Sequence, residues 1–259
     1  MTLLQSAVLG IVEGVTEFLP ISSTGHLILT SSLLGVSQSD FVKSFEIIIQ
    51  LGAIAAVLFL YWRAFLNIET LKKVAVAFLP TAVIGFALYK VIKTYLIGNE
   101  VVVLWALFLG GIAILAFEYW HQKASTQHAG DQAIQDISYT QAVLIGFAQA
   151  VAIIPGVSRS GATILGGLAL GLRRSTIVEF SFILAVPTML AATGLDLYKS
   201  ASSFSGADIW PLLVGFATAF VVAILSIKFL LAFVRTRTFV PFGIYRVFAA
   251  ALFYFFIFL

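Results

Sequence analysis

The 259-residue chain contains no cysteine, which excludes disulfides and thiolate chemistry and removes redox usage as a guide to compartment. Charge is scarce as well. Asp, Glu, Lys and Arg make up 10% of the residues, against roughly a quarter in a soluble domain. With 61% hydrophobic residues, the composition is that of a polytopic membrane protein. Apolar stretches fill nearly the whole length, so no room is left for a separate soluble domain, and a single membrane domain over residues 1–259 is expected. The first apolar segment has no basic leader and no small-x-small cleavage site before its polar cluster, so it is expected to be mature structure. The formal net charge of +3 reports orientation more than partner choice in such a chain, and nucleic acid binding is not supported.

What stands out against this background is the stretch Glu13-Gly14-Val15-Thr16-Glu17-Phe18-Leu19-Pro20-Ile21-Ser22-Ser23-Thr24-Gly25-His26, which sets two carboxylates, a run of hydroxyls and an imidazole in an apolar opening. Gln149 to Gly161 repeats its outline. A gapless overlay puts Gly10 on Gly146, Glu13 on Gln149, Ser22 on Ser158, Ser23 on Arg159, Thr24 on Ser160 and Gly25 on Gly161.

The first apolar segment, about Thr2 to Leu19, is closed by Pro20 and followed by a short helical run from His26 to Leu34. A full crossing needs about 20 residues, so the pair is expected to form a re-entrant hairpin whose exposed backbone lies against protein or a cavity. Spans are expected at Val42 to Trp62, Val74 to Ile92, where Pro80 falls inside the helix, and Val101 to Tyr119. The polar stretch from His121 to Ser138 reads as a linker. The second half then matches the first, with a hairpin from Tyr139 to Ile154 and Thr163 to Leu172, and spans at Ile177 to Leu197, Ile209 to Phe233 and Val240 to Phe258.

The expected fold class is therefore an all-α polytopic membrane protein with repeat 1 at about 1–120, a linker at about 121–138 and repeat 2 at about 139–259. Each half crosses an odd number of times, so the halves are expected to be inverted with a shared site near the midplane. Arg63, Lys72, Lys73, Lys123, Arg173, Arg174, Arg235 and Arg237 fall on one face, Lys43, Lys93 and Lys199 on the other, with Lys90 near that second side. The basic face is expected to be cytoplasmic, which leaves both termini and the mouth of the first hairpin facing outward.

Glu13 and Glu17 lie four residues apart, on one helix face, and two carboxylates in low dielectric need a shared proton, a cation or a nearby Arg. Ser22, Ser23 and Thr24 follow Pro20 at an N-cap position, where free N–H groups and the helix dipole favour an anion. Ser158 and Ser160 open the matching helix, so two helix starts can converge on one anion. Arg159 breaks the repeat where its guanidinium complements the carboxylates, and it suits bidentate phosphate recognition or an ion pair with Glu13 or Glu17. His26 is placed to act as base or acid toward a serine or a leaving group. His121 and His128 are expected to be solvated. Glu46 and Glu179 read either as partners of the opposite hairpin or as residues at span ends. Arg246 reads as a snorkelling side chain and Tyr245 as an interface aromatic.

Glu13 to Leu27 (EGVTEFLPISSTGHL) and Pro155 to Thr163 (PGVSRSGAT) resemble the two signature segments of the bacterial undecaprenyl-diphosphate phosphatase family, also called bacitracin-resistance proteins. The likeness extends to FEIIIQLGAI (Phe45 to Ile54), EFSFILAVP (Glu179 to Pro187), DLYKS (Asp196 to Ser200) and FVPFGIYR (Phe239 to Arg246). The resemblance implies hydrolysis of undecaprenyl diphosphate to the monophosphate carrier of peptidoglycan synthesis, on the outer face of the bacterial plasma membrane, with a divalent cation, Mg2+ or Ca2+. It also implies roles for Glu13, Glu17, Ser22, Ser23, His26 and Arg159.

On these residues Ser23 is expected to attack the terminal phosphorus and His26 to take its proton. Glu13 and Glu17 would hold the metal or tune His26, with Gln149, Glu46 and Glu179 behind them. Arg159, with Ser22, Thr24, Ser158, Ser160, Gly161 and Thr163, would bind the phosphates. A metal-activated water is the rival nucleophile. Expected partners are the polyprenyl lipid, the membrane and, as an option, a second copy of the chain in a homodimer. The alternative function is a carrier or flippase for a lipid phosphate or another anion, since the architecture is that of transporters. A structural subunit would leave the Glu, Ser, His and Arg cluster without a use.

Overall fold

Among the residues that a computed structural model describes, 1–36, 39–96, 99–124, 132–200 and 209–258, every regular element is helical. The order is α1 (Leu3–Thr16), α2 (Ser23–Leu33), α3 (Asp40–Leu60), α4 (Ile68–Ala87), a short α5 (Tyr89–Val91), α6 (Glu100–Ala124), α7 (Tyr139–Ala150), α8 (Arg159–Ala169), α9 (Arg174–Ser200), α10 (Ile209–Val234) and α11 (Val240–Phe258). Helices α4, α6, α9 and α10 are long and apolar enough to cross a membrane, and α1, α3, α7 and α11 contribute shorter apolar stretches. The chain is an all-α, multi-pass membrane protein.

Three expected helix starts move toward the N-terminus. Helix α2 begins at Ser23 rather than His26, α8 at Arg159 rather than Thr163, and α4 at Ile68 rather than Val74. In each case the helix opens among polar residues before the apolar run begins. At α4 the Asn67 side chain accepts from Thr70 N at 3.0 Å, and at α8 Ser158 Oγ accepts from Gly161 N at 3.2 Å.

The expected linker shortens too, because α6 continues to Ala124. His121 is stacked on Phe117 at 5.2 Å between ring centroids, rather than standing free in solvent. Residues 125–131, His128 among them, and the side chains of Lys43, Lys93, Lys123 and Lys199 lie outside the described residues. The end of the linker is docked: Gln132 O accepts from Thr176 Oγ1 at 2.7 Å, Gln135 O accepts from Lys73 Nζ, and Ile137 is buried.

The two short arms open alike. Thr2 Oγ1 accepts from Gln5 N at 3.1 Å while Gln5 Oε1 accepts from Thr2 N at 2.8 Å, a reciprocal cap on α1. Ser138 and Gln141 make the same pair of bonds on α7, at 3.1 and 2.9 Å. Each glutamine then directs its amide N–H to the last turn of the following short helix, Gln5 to Leu34 O at 3.1 Å and Gln141 to Leu170 O at 3.2 Å. Helix α2 therefore ends beside the start of α1, and α8 beside the start of α7. All four residue pairs are related by the shift that lays Gly10 on Gly146.

The arms pack crosswise. Helix α1 lies on α10, and α7 lies on α4; α3 packs on α10 and α9, α4 on α9, and α6 on α11. Phe180, Ser181, Phe182, Ile183, Leu184 and Ala185 in α9 are all fully buried, so this stretch of the helix is covered on every side and lies in the core.

Close approach of α1 to α10 rests on small residues. A Cβ on Gly10 would stand 2.6 Å from Gly215 O, and one on Gly14 would stand 2.8 Å from both Ala219 O and Val222 Cβ. This is small-xxx-small packing, in which backbone proximity substitutes for hydrophobic driving force between helices. Gly14→Leu is expected to destabilise the fold by about 1–3 kcal/mol or more through overpacking. A fall in the thermal unfolding midpoint in detergent, smaller for Gly14→Ala, is the measurement that checks it.

Candidate active site

The chain breaks between α1 and α2 at Pro20 and between α7 and α8 at Pro155, and both breaks end on a serine with the same unusual backbone. Ser22 has φ 69 and ψ 100, and Ser158 has φ 77 and ψ 112, values that cost a non-glycine residue of order 1–3 kcal/mol. The two turns touch directly, since Ser160 Oγ donates to Leu19 O at 2.8 Å.

Between them Glu17, only 6% exposed, joins the halves. Its Oε1 accepts from Arg159 Nη2 at 2.7 Å and its Oε2 accepts from Ser23 Oγ at 2.7 Å. Arg159 is held further by Nη1 donating to Ser181 O at 3.0 Å, with its guanidinium 5.7 Å from the centroid of the Phe18 ring. Phe18 is fully buried against Phe182, so the cation has a fixed apolar floor.

Glu13 is fully buried, and neither of its carboxylate oxygens has a hydrogen-bond partner. Its charged neighbours are Glu17, Glu46 and Arg159. Arg159 Nε is also buried without a partner. A carboxylate so placed needs a proton or a cation. Among the described residues no group of three or more His, Cys, Asp or Glu side chains assembles around a point that could hold a metal. Glu13 and Glu17, whose oxygens each accept no more than one hydrogen bond, are the carboxylates that could hold a cation.

His26 is brought near, but not onto Ser23. Its Nδ1 lies 2.7 Å from Ser22 O and its Nε2 lies 2.6 Å from Tyr245 OH. A carbonyl only accepts, so Nδ1 carries the proton and Nε2 accepts from the tyrosine, with the two rings stacked. Both nitrogens are occupied, and His26 makes no hydrogen bond to Ser23 here.

The other expected phosphate contacts divide in two. Ser22, Ser23, Thr24, Ser158 and Arg159 line a cavity of about 130 Å3 together with Glu17 and Gly156, a size for a headgroup phosphate and a few waters rather than a whole ligand. Ser160, Gly161 and Thr163 are used internally instead. The Gly161 N–H is capped by Ser158, and Thr163 Oγ1 bonds Arg159 O and Ser160 O at 3.0 Å and meets Ser181 Oγ. The α2 start has no such side-chain cap, so its first-turn N–H groups are the ones left open to an anion.

Of the residues expected behind the site, Glu46 accepts from Ser31 Oγ at 3.3 Å within its own half. Glu179 has Tyr61 and Arg235 as electrostatic neighbours and does not line the cavity. Gln149 Nε2 donates to Thr81 Oγ1 at 3.0 Å and Thr188 Oγ1 at 3.1 Å, which ties α7 to α4 and α9.

Sequence reasoning missed two residues altogether. Gln50 and Met189 line the cavity, and the signal for Gln50 was an amide in the middle of an apolar span. Arg246 was misread. It is 1% exposed and does not snorkel: Nε donates to Leu107 O at 3.1 Å, Nη1 to Pro20 O at 3.2 Å and Val157 O at 2.8 Å, and Nη2 to Ala106 O and Gly156 O, both at 2.9 Å. One guanidinium thus satisfies five carbonyls with five N–H donors, and holds the backs of both turns. Tyr245 is half of the His26 contact rather than an interface aromatic.

Comparison with known proteins agrees over the whole chain. The family described as bacitracin resistance protein BacA matches residues 6–252. A protein named undecaprenyl-diphosphatase from Sulfurihydrogenibium sp. (strain YO3AOP1) is 50% identical over 254 residues, covering 98% of this chain and 99% of the relative. One of the same name from Aquifex aeolicus (strain VF5) is 50% identical over 248 residues, covering 95% of each chain. A third, from Wolinella succinogenes, is 49% identical over 258 residues, covering 99% of each.

Proposed function

The chain belongs to the bacitracin resistance protein BacA family, and from that premise we infer that it is a membrane phosphatase hydrolysing undecaprenyl diphosphate to undecaprenyl phosphate and inorganic phosphate. The reaction returns the lipid carrier to peptidoglycan synthesis and accounts for the family's link to bacitracin resistance. The observation that carries the site assignment is Glu17, which binds Ser23 with one oxygen and Arg159 with the other inside a cavity of phosphate size.

The chemistry follows from those contacts. Hydrolysis of a phosphoanhydride is mostly positioning and charge neutralisation. The terminal phosphate displaces Glu17 from Arg159, which clamps it together with the uncapped start of α2. Ser23 Oγ attacks the terminal phosphorus as its proton passes to Glu17. The Oγ–P bond forms and the bridging P–O bond breaks, leaving undecaprenyl phosphate. Water then cleaves the phosphoserine and releases inorganic phosphate. His26 orients the turn through Ser22 O rather than taking the proton. A divalent cation, Mg2+ or Ca2+, on Glu13 would neutralise phosphate charge.

Several features support the architecture assigned to this reaction. At 1.5 Å per residue a 14-residue α1 extends only about 21 Å, short of a hydrocarbon core of about 30 Å. The Gln5–Leu34 and Gln141–Leu170 bonds bring the ends of each hairpin together. With the crosswise packing of arms on spans, they favour two re-entrant hairpins in inverted repeats of one membrane domain. The basic residues then mark the cytoplasmic face of the bacterial inner membrane, and the site opens outward.

Purified protein in detergent, given undecaprenyl diphosphate, is expected to release inorganic phosphate. A carrier would release none without a membrane to work across. Acid quench during turnover is expected to trap phosphate on Ser23, and Ser23→Ala to lose at least about 100-fold in kcat. Retention of most activity by Ser23→Ala would assign the attack to water.

A further inference from the structure

The cavity has one wall that phosphate chemistry does not use. Ala152 and Pro155, in the segment after α7, and Met189 of α9 line it beside Arg159 and Ser158. The neighbours of these residues in sequence face outward: Val151 is 55% exposed, Ile154 38% and Leu190 47%. In a membrane protein such side chains meet lipid. This apolar wall of the cavity therefore adjoins the outward-facing surface of the protein.

A polar crosslink lies beside this wall. Gln149 Nε2 donates to Thr188 Oγ1 at 3.1 Å, joining α7 to α9 one residue before Met189. Met189 is also unusual. The chain contains two methionines, and the other is Met1. The unbranched thioether of Met189 packs on the core and also reaches the cavity, and such a side chain adapts to irregular apolar ligands.

We propose that the gap between Ala152, Pro155 and Met189 is the port through which the first isoprene units of a prenyl diphosphate pass from the phosphate cavity into the bilayer. The port rests on the phosphatase reading for the identity of its ligand, and on the cavity wall for its position. An apolar chain attached to an anion held at Arg159 and Ser23 has to leave the cavity through an apolar wall, and this wall adjoins lipid-facing side chains. Met189 and Ala152 then contact the proximal isoprenes and contribute to affinity for the lipid, but not for the bare diphosphate.

The test uses the full-length protein in detergent. A prenyl diphosphate carrying a diazirine on its first isoprene is expected to label peptides containing Ala152 or Met189. Met189→Gln, nearly isosteric but polar, is expected to raise KM for farnesyl and undecaprenyl diphosphates roughly tenfold, the discrimination of about one methylene contact in an apolar pocket. The inhibition constant of inorganic pyrophosphate is expected to stay within twofold. Labelling elsewhere, an unchanged KM, or a pyrophosphate constant that rises in step with KM would overturn the port. Labelling at the port without phosphate release by the wild-type protein would leave the port standing and remove the phosphatase reading, so the two failures are distinct.

Discussion

Arg246→Met is expected to lower kcat by at least about 100-fold, the loss that a misplacement of about 1 Å in a positioned site produces. The guanidinium holds Pro20 O from the first turn and Gly156 O and Val157 O from the second. Removing it leaves buried carbonyls unsatisfied, each at about 1–3 kcal/mol, and releases the only side chain among the described residues that binds the backbone of both turns. The orientation of the site depends on the same bonds. In a trans peptide the C=O and N–H point in opposite directions, so the Val157 carbonyl on Arg246 turns the Ser158 N–H away from it, where Ser158 lines the cavity.

Arg246→Lys separates the fork from the charge. Lysine offers three donors from one point and cannot reach five carbonyls, so it is expected to recover only a small part of kcat. The thermal midpoint of both variants should fall, but a purely structural role would leave the activity of the folded fraction unchanged. Activity per folded molecule is therefore the deciding measurement. Arg246→Met within threefold of wild type would show that the turns hold themselves.

Why this residue was misread follows from what it binds. Carboxylates, serines and the arginine of the two turns are visible as unusual side chains in an apolar chain. Backbone carbonyls belong to every residue and leave no trace in the sequence. Pro20 and Arg246 are also 226 positions apart, so no local pattern joins them. The helical class and the meeting of Glu17, Ser23 and Arg159 were legible because each rests on composition, periodicity or charge. The reciprocal caps of Thr2 with Gln5 and Ser138 with Gln141 were legible in principle, since Ser or Thr followed three residues later by Gln is a start signal. They were passed over because polar residues at the edge of an apolar run read as loop.

The histidine meets partners other than Ser23 for a different reason. Three residues after Ser23, His26 falls within reach of the hydroxyl on a helix surface, but four residues after Ser22 it falls equally within reach of that residue's carbonyl. The carbonyl won, because the strained backbone at Ser22 turns it toward the ring and Tyr245 holds the other nitrogen. Spacing alone does not separate two acceptors one residue apart. Ser160 and Thr163 illustrate the same limit: hydroxyls at a helix start serve backbone groups as readily as ligands.

Glu17→Gln is the second large effect, and it ranks the two bases against each other. The amide is isosteric and can still meet Ser23 and Arg159, but it cannot accept a proton from Ser23 in the attack. A loss of about 10²–10⁴ in kcat is expected, the range of general acid–base catalysis, with KM changed far less. His26→Asn keeps an N–H that can reach Ser22 O in place of Nδ1 but has no second ring nitrogen for Tyr245. It is expected to stay within about tenfold of wild type, because the turn is still tied while the lost contact lies behind the reacting atoms. Phosphate release measured for the two variants under saturating substrate decides the matter. The opposite ranking, with His26→Asn the more damaging in kcat, would return the serine proton to the imidazole and reduce Glu17 to the ion-pair partner that keeps Arg159 in place between turnovers.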